Sequence, residues 1–467
     1  MTRRSAAINH TGPMGPVAIS GALLLLIASP LMRGGNRQIA LLGLEAIALV
    51  VLLGFLIKTN APPAFSVRRF LITVLLLSPL WLALIYLVPM PATFWTGTPG
   101  REIYFPLLRS AGVEPGGWLP LSLVPDATRV SLLAGIPLVA AFLVGSQCRL
   151  SQLRLLLGLV VVIAFGEILF GLLQISGGAK SSLNFGMDAD RPIGTFANAN
   201  HLANYIGMAL AALVWLAWDG LLRPHSRGGR GSALFSGRHA VALWIAAGVL
   251  LVFGILITRS RGAAFTGLPV AMLAIAFALS SAGRTQGWKS TLALLGAVLV
   301  CAVVLVGAGS VLSRFDLGVL SESASYRSLL ATTTMDGARA FWPWGAGWGT
   351  YATVYPRFQP LELHGLADYA HQDYAQMLFE GGIFAALLAV AFLALVVERA
   401  VQLARSAWRM RELSREEMTA ALCGLGLLGF LLHSLVEFNM HIPANAILAA
   451  LMAGVYLRPL AEGSPRT

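Results

Sequence analysis

Charge is scarce in this chain: Asp, Glu, Lys and Arg make up 12% of its 467 residues, against about 25% in an ordinary soluble domain. With 57% hydrophobic residues and a mean hydropathy of +0.75, that shortage excludes a soluble globular protein. Lysine is nearly missing, occurring only at Lys58, Lys180 and Lys289, so the net charge of +12 rests on arginine. The arginines are dispersed among apolar runs and not striped along one face, which excludes a nucleic-acid groove. They fit basic loops on the cytoplasmic side of a membrane, with a remainder available to an anionic substrate. Cysteine is limited to Cys148, Cys301 and Cys423, in or beside apolar runs and without CxxC spacing. That excludes a disulfide framework and a cysteine zinc site. No internal repeat organises the chain.

What the chain has instead is a succession of long apolar runs. About twenty residues at ~1.5 Å rise each cover the ~30 Å hydrocarbon core of a bilayer. The expected fold is an all-α integral membrane protein, a single polytopic domain over 1–467 with about twelve transmembrane helices. The expected spans are 17–32, 38–57, 68–89, 128–147, 152–177, 200–219, 240–258, 263–282, 290–312, 373–397, 417–436 and 441–458. The first follows Arg3 and Arg4 without a small-x-small cleavage site and reads as a retained signal anchor. Placing both termini in the cytoplasm puts the basic loops 220–239 and 398–416 inside, as the positive-inside rule requires.

Two long segments then fall outside. Segment 90–127, rich in Pro, Gly and Trp, is expected at the membrane interface with Trp95 and Trp118 at headgroup level. Segment 313–372 is large enough for a loop subdomain or lid. Within it, 321–342 reads as a helix stopped by Pro343, and Gly345-Ala346-Gly347-Trp348-Gly349 reads as a turn, since it lacks GxGxxG spacing and a preceding strand.

Span parity gathers four polar clusters on the outer face. They are Asp190 to His201, Thr258-Arg259-Ser260-Arg261-Gly262, the end of the long loop at His371, and Glu437-Phe438-Asn439-Met440-His441. Arg259 and Arg261 sit in a tight turn between two spans, where arginine is costly unless paired or snorkelling. They either snorkel to lipid phosphate or clamp a phosphate-bearing ligand through the guanidinium fork. Arg191 either pairs with Asp188 or Asp190 or joins that clamp. His371 is expected to begin a helix and share a face with Tyr374. It is either an interfacial cap or a general base, since an imidazole with an ordinary pKa near ~6.5 can take a hydroxyl proton. Glu45, Glu167, Glu380 and His433 are intramembrane ionisable groups, functional or engaged in helix–helix hydrogen bonds. Arg327 and Arg339 lie on the predicted loop helix, free to touch a ligand; an Asp336–Arg339 pair at i, i+3 is the structural alternative. The outer face offers no paired DxD-type carboxylates and no His/carboxylate cage, so no metal and no cofactor are expected.

These clusters carry a resemblance. Arg191-Pro192-Ile193-Gly194-Thr195-Phe196-Ala197-Asn198-Ala199-Asn200 resembles the GTF-x-N-x-N segment of the bacterial O-antigen ligase and polymerase superfamily. Thr258 to Gly262 is similar to its Ser-Arg-Gly turn, and Ala370-His371-Gln372-Asp373-Tyr374 with Glu380-Gly381-Gly382 is similar to its His-Asn-x-Tyr…Glu-x-Gly motif. The match runs in order over roughly 155–455; Gln372 departs from the commoner Asn, which bears on what steadies His371. The resemblance implies a GT-C-like membrane glycosyltransferase of the bacterial inner membrane. Such an enzyme moves a glycan from an undecaprenyl diphosphate carrier to a hydroxyl on the periplasmic face, with inversion and without metal. Carried over, Arg191 with Arg259 or Arg261 would hold the diphosphate and His371 would activate the acceptor hydroxyl. Tyr374, Asn198, Asn200, Glu380 and Arg327 would support them. Its partners would be the undecaprenyl-diphosphate-linked oligosaccharide, the glycan acceptor, membrane lipids and other polysaccharide-assembly proteins. His433 to Pro443 looks like a variant found in exopolysaccharide polymerases of the group, which favours a polymerase over a ligase acting on the lipid A core. A flippase for lipid-linked oligosaccharide is the alternative without catalysis; it would need polar groups along the whole path between leaflets.

Overall fold

A computed structural model describes residues 14–56, 66–112, 116–186, 191–222, 238–281, 317–410 and 413–459. The expected span at 290–312, Cys301, Asp188 and Asp190 lie outside the described residues. The protein is an integral membrane protein built almost wholly of helix. Its long elements are α1 (Pro16–Ala28), α2 (Gln38–Leu56), α3 (Val67–Leu76), α4 (Ser78–Leu87), α5 (Pro125–Gln147), α6 (Leu150–Ser176), α7 (Ala199–Ala217), α8 (Arg238–Ile257), α9 (Arg261–Ser281), α10 (Leu317–Ala340), α11 (Asp373–Met410), α12 (Arg415–His433) and α13 (Pro443–Leu457). Among the described residues seven helices are long and apolar enough to cross a bilayer, eight if α3 and α4 form one span. The pair is bent by 66° where Leu77 ends one helix and Pro79 opens the next, so the run 68–89 is not one straight helix.

The bundle is organised around α7, which packs on α6, α8, α9, α12 and α13. The span Ala199–Gly220 is 83% buried, against 22% for Gln38–Leu56, which places α7 at the centre and α2 at the rim. Lipid offers no hydrophobic drive for helices to associate, so close backbone approach has to hold them. On α5 and α13 that approach is reciprocal. A Cβ on Gly145 would lie 2.0 Å from the Leu451 carbonyl oxygen, and one on Gly454 would lie 2.2 Å from that of Phe142. Helices α7 and α12 run antiparallel with polar rungs along their length. Asn204 bonds His433 at one end, the Trp215 indole donates to Thr419 Oγ1 at 2.9 Å, and Asp219 takes Arg415 Nε at 2.8 Å and also Arg154 at the other. The buried Asp219 carboxylate is thus doubly paired, as a charge there must be.

Outside the bundle, β1 (Pro89–Pro91) pairs antiparallel with β2 (Trp118–Pro120), and α10 with the following loop packs a second apolar core of Leu330, Phe341, Tyr351, Tyr355 and Phe379. Trp118 is exposed, but Trp95 is buried and its indole donates to the Pro120 carbonyl at 2.8 Å, so it is a core residue of this ribbon and not a headgroup anchor. Arg101, also buried, bridges the two segments: it donates to the carbonyls of Leu121 at 2.7 Å and Gly345 at 2.8 Å. Burial holds its pKa down, to about 10.

The predicted loop helix runs Leu317–Ala340 and ends three residues before Pro343. The glycine-rich stretch is a turn, with Gly345, Gly347 and Gly349 all at positive φ. It is seated by the Glu380-Gly381-Gly382 sequence. At Gly382 (φ 47°, ψ −133°) α11 leaves helical geometry, which exposes carbonyls for other partners. The amide of Ala346 donates to Phe379 O at 2.9 Å and that of Gly347 to Glu380 O at 3.0 Å. A Cβ on Gly382 would lie 2.2 Å from the Pro343 carbonyl oxygen, so only glycine fits this contact.

Candidate active site

The four clusters that parity assigns to one face come together in space at the end of α7 and α12 remote from Asp219. The Gly194-Thr195-Phe196 segment is a 3-10 turn docked on α6. The Thr195 amide and hydroxyl both donate to Glu167, at 2.8 and 2.6 Å, and Gln174 Oε1 takes the amides of Ile193 and Gly194. Glu167, read from the sequence as an intramembrane candidate, therefore anchors this motif. Asn198 caps α7, its side chain accepting from the Asn200 amide at 2.8 Å. Arg191 begins the segment and reaches the Thr258 carbonyl at 3.5 Å, which sets it against the Thr258–Gly262 turn.

That turn is bent by Arg259 at φ 52°, a left-handed conformation few non-glycine residues adopt, and Arg261 is the first residue of α9. Gly262 follows because nothing larger fits: a Cβ there would lie 2.4 Å from His433 Nε2. The turn thus rests on His433, the last residue of α12, which stands shortly before Glu437 in the chain.

Glu437 is the hub. Its buried carboxylate accepts from Asn200 Nδ2 at 2.6 Å and from Arg327 at 2.5 Å on one oxygen, and stands 3.2 Å from His371 Nδ1 and 3.7 Å from His201 Nε2 on the other. Burial alone would raise its pKa. The His371 hydrogen bond and the charges of His371 and Arg327 outweigh that and hold it down, to about 2. An ionised carboxylate only accepts, so Nδ1–H of His371 is the donor in either charge state, and when the ring gives up its other proton the lone pair lies on Nε2. The imidazole side chain is 31% exposed and the carboxylate behind it 1%, so the ring is reachable from outside while its partner is not. Phe438 packs edge-on to the imidazole at 4.8 Å and is itself stacked on Tyr369 at 4.3 Å, fixing the ring's plane.

His371 does not begin a helix. It precedes α11 by two residues with φ 49°, so it shares no helical face with Tyr374. The Tyr374 hydroxyl donates to the Leu431 carbonyl at 2.8 Å and joins α11 to α12. The Glu380 carboxylate is engaged elsewhere, accepting from the amides of Gly349 at 2.9 Å and Tyr351 at 3.0 Å. Arg339 pairs with Asp336 at 2.8 Å, whereas Arg327 from the same helix reaches the hub. Of the supporting residues named from the sequence, Asn200 and Arg327 therefore touch His371's partner; Asn198, Tyr374 and Glu380 hold the surrounding chain. Sequence reasoning marks the cluster that contains Glu437 but gives the residue itself no role. Its only signal is a lone carboxylate in a short turn between two apolar runs. Among the described residues no group of three or more His, Cys, Asp or Glu side chains is placed to hold a metal ion.

The model of the O-antigen ligase family matches residues 246–390, a segment that contains the Thr258–Gly262 turn, the His371 loop and the Glu380-Gly381-Gly382 break. The likeness to the O-antigen ligase and polymerase superfamily stands on that match. No curated protein matches the chain.

Proposed function

Proceeding from a membrane chain whose residues 246–390 match the O-antigen ligase family, we propose that this protein is a polysaccharide polymerase. It transfers an undecaprenyl-diphosphate-linked glycan to a sugar hydroxyl at the periplasmic face of the bacterial inner membrane, with both termini in the cytoplasm. The observation that carries the reading is the pair of His371 and Glu437. A buried carboxylate fixes one ring nitrogen as donor and leaves the other to take a proton.

In the proposed step the acceptor hydroxyl oxygen bonds to the anomeric carbon of the donor sugar from the face opposite the diphosphate. The carbon–oxygen bond to the diphosphate breaks, the bonding pair leaves with the lipid diphosphate, and configuration inverts. The hydroxyl proton passes to His371 Nε2, a contribution of roughly 10²- to 10⁴-fold. Arg191, Arg259 and Arg261 meet the charge that develops on the leaving group without a metal, and loss of one such donor costs about 3–4 kcal/mol. Segment 313–372 closes over the sugars as a loop subdomain, and 90–127 forms the neighbouring interfacial segment. Arg327 belongs to both halves of the arrangement, since it sits on the loop helix and bonds the hub.

A ligase reading, with the lipid A core as acceptor, uses the same groups and is favoured by the description of the matching family. Purified protein given only the lipid-linked repeat separates the two. A polymerase lengthens the glycan and releases undecaprenyl diphosphate; a ligase turns over only when the core acceptor is added. Absence of transfer to either acceptor would refute both.

A further inference from the structure

Behind His371 lies a second polar chain that the proposed reaction does not use. His441 Nδ1 is 2.8 Å from Asp373 Oδ1, and His441 Nε2 is 3.1 Å from the Gln376 amide nitrogen. Gln376 Oε1 accepts the backbone N–H of Ala370 at 3.1 Å, and its amide nitrogen also reaches Glu380 at 3.3 Å. Asp373 is buried and ties its own segment down twice more: its amide donates to Ser434 O at 3.0 Å and its Oδ2 accepts from the Met440 amide at 2.9 Å.

One geometric requirement runs through these contacts. An amide has a single oxygen and a single nitrogen. For Gln376 Oε1 to take the Ala370 N–H, its nitrogen must face His441, and His441 must present an acceptor there. It does so when Nδ1–H donates to Asp373 and Nε2 is bare. Asp373 thus sets the His441 tautomer, His441 and Glu380 together set the Gln376 amide, with His441 the closer of the two, and Gln376 holds the backbone one residue before the left-handed His371. A non-glycine residue at φ 49° is strained and persists only where its surroundings fix it. Glu437 orients the ring of His371; this chain orients its backbone.

We infer that His441, acting through Gln376, is a positioning residue that holds the Ala370–His371 backbone in its working conformation. The kinetic part of this inference rests on the transferase reading; the structural part does not. The test uses the full chain in lipid nanodiscs, comparing wild type with His441→Ala, Gln376→Ala and His441→Gln. The last is chosen because a glutamine amide can donate to Asp373 with its nitrogen and accept from Gln376 with its oxygen. His441→Ala and Gln376→Ala are expected to raise amide hydrogen exchange in peptides covering 368–373 while α7 and α12 keep their protection. With lipid-linked repeat as substrate they should lower kcat about 10- to 100-fold, the scale of a misplaced catalytic group, and leave KM within about threefold. His441→Gln should restore both readings toward wild type. Unchanged exchange at 368–373 in both alanine variants would overturn the coupling whatever the activity. Raised exchange in those variants, alongside a wild type that transfers glycan neither to the repeat nor to an added lipid A core acceptor, would keep the coupling and sink the transferase reading instead. A KM effect without a kcat effect, or no rescue by glutamine, would refute the positioning role.

Discussion

Replacing Glu437 by glutamine separates the chemical part of the site from its architecture. The two side chains are nearly the same size, so no cavity opens in the buried position Glu437 occupies. The introduced amide would still offer an oxygen to Asn200 and Arg327, which now share one carboxylate oxygen at 2.6 and 2.5 Å. Its nitrogen would then face His371 Nδ1, where the carboxylate oxygen stands at 3.2 Å. A donor in that place forces Nδ1 to accept and moves the ring proton to Nε2, the atom proposed to act as base. The stability cost is modest, about 1–3 kcal/mol for exchanging charge-assisted hydrogen bonds for neutral ones. The partner Arg327, a third exposed, can be hydrated. The cost to turnover is larger: the equivalent carboxylate-to-amide change in a Ser-His-Asp triad lowers kcat by about 10⁴ through the wrong tautomer. A fall of roughly 10²- to 10⁴-fold in kcat is therefore expected, with folded protein recovered in normal yield. The assay is glycan transfer by protein in nanodiscs at matched concentration, with thermal unfolding followed in parallel. A variant within about threefold of wild type in kcat would refute the claim that the carboxylate sets the imidazole's proton.

The same contacts bear on pH, on the leaving group and on the fold. Glu437 has a folded pKa of about 2, below the unfolded carboxylate value of about 4.3. It therefore contributes stability above that unfolded value which is lost as the pH falls toward 2, a loss in melting temperature that Glu437→Gln should not show. Arg259→Ala and Arg261→Ala should each slow transfer by at least about 10²-fold if both meet the leaving diphosphate, with lysine restoring part of the charge but not the fork; wild-type turnover in either would remove that residue from the clamp. Gly382→Ala adds a Cβ 2.2 Å from the Pro343 carbonyl oxygen and should reduce folded yield, seen by size-exclusion chromatography, unlike a substitution at the uncrowded Gly43. Treating the purified protein with EDTA should leave transfer unchanged, and a loss restored by a divalent cation would contradict the metal-independent step.

Much of the helical plan is legible in the sequence because apolar run length and bilayer thickness are two sides of one constraint. The spans read at 38–57, 152–177 and 200–219 each begin or end within about two residues of the helices found. What run length does not report is backbone geometry inside a run. Pro79 is the only sign that 68–89 bends, and a hydropathy window averages over it. The ribbon at 89–91 and 118–120 is three residues a side and too short to leave an alternation pattern. Trp95 misleads for a related reason: an amphipathic ring suits both the headgroup layer and a hydrogen-bonded core, and only the Pro120 carbonyl decides between them. In the site, the arginine turn and His371 announce themselves through residue type and parity. The left-handed backbone at His371 does not, because the contact beside it, Gln376 accepting the Ala370 amide, comes from the next helix. Glu437 is legible as a charged residue in a turn, but its role as hub depends on four partners spread from Asn200 to His371, which no local spacing reveals.

The account turns on the imidazole of His371, and the most direct measurement is single-turnover glycan transfer by His371→Ala in nanodiscs, supplied with lipid-linked repeat and the competent acceptor. The account predicts that donor still binds, that amide exchange in α7 and α12 is unchanged, and that the chemical step slows by at least about 10²-fold. Undiminished transfer at matched protein levels would contradict it.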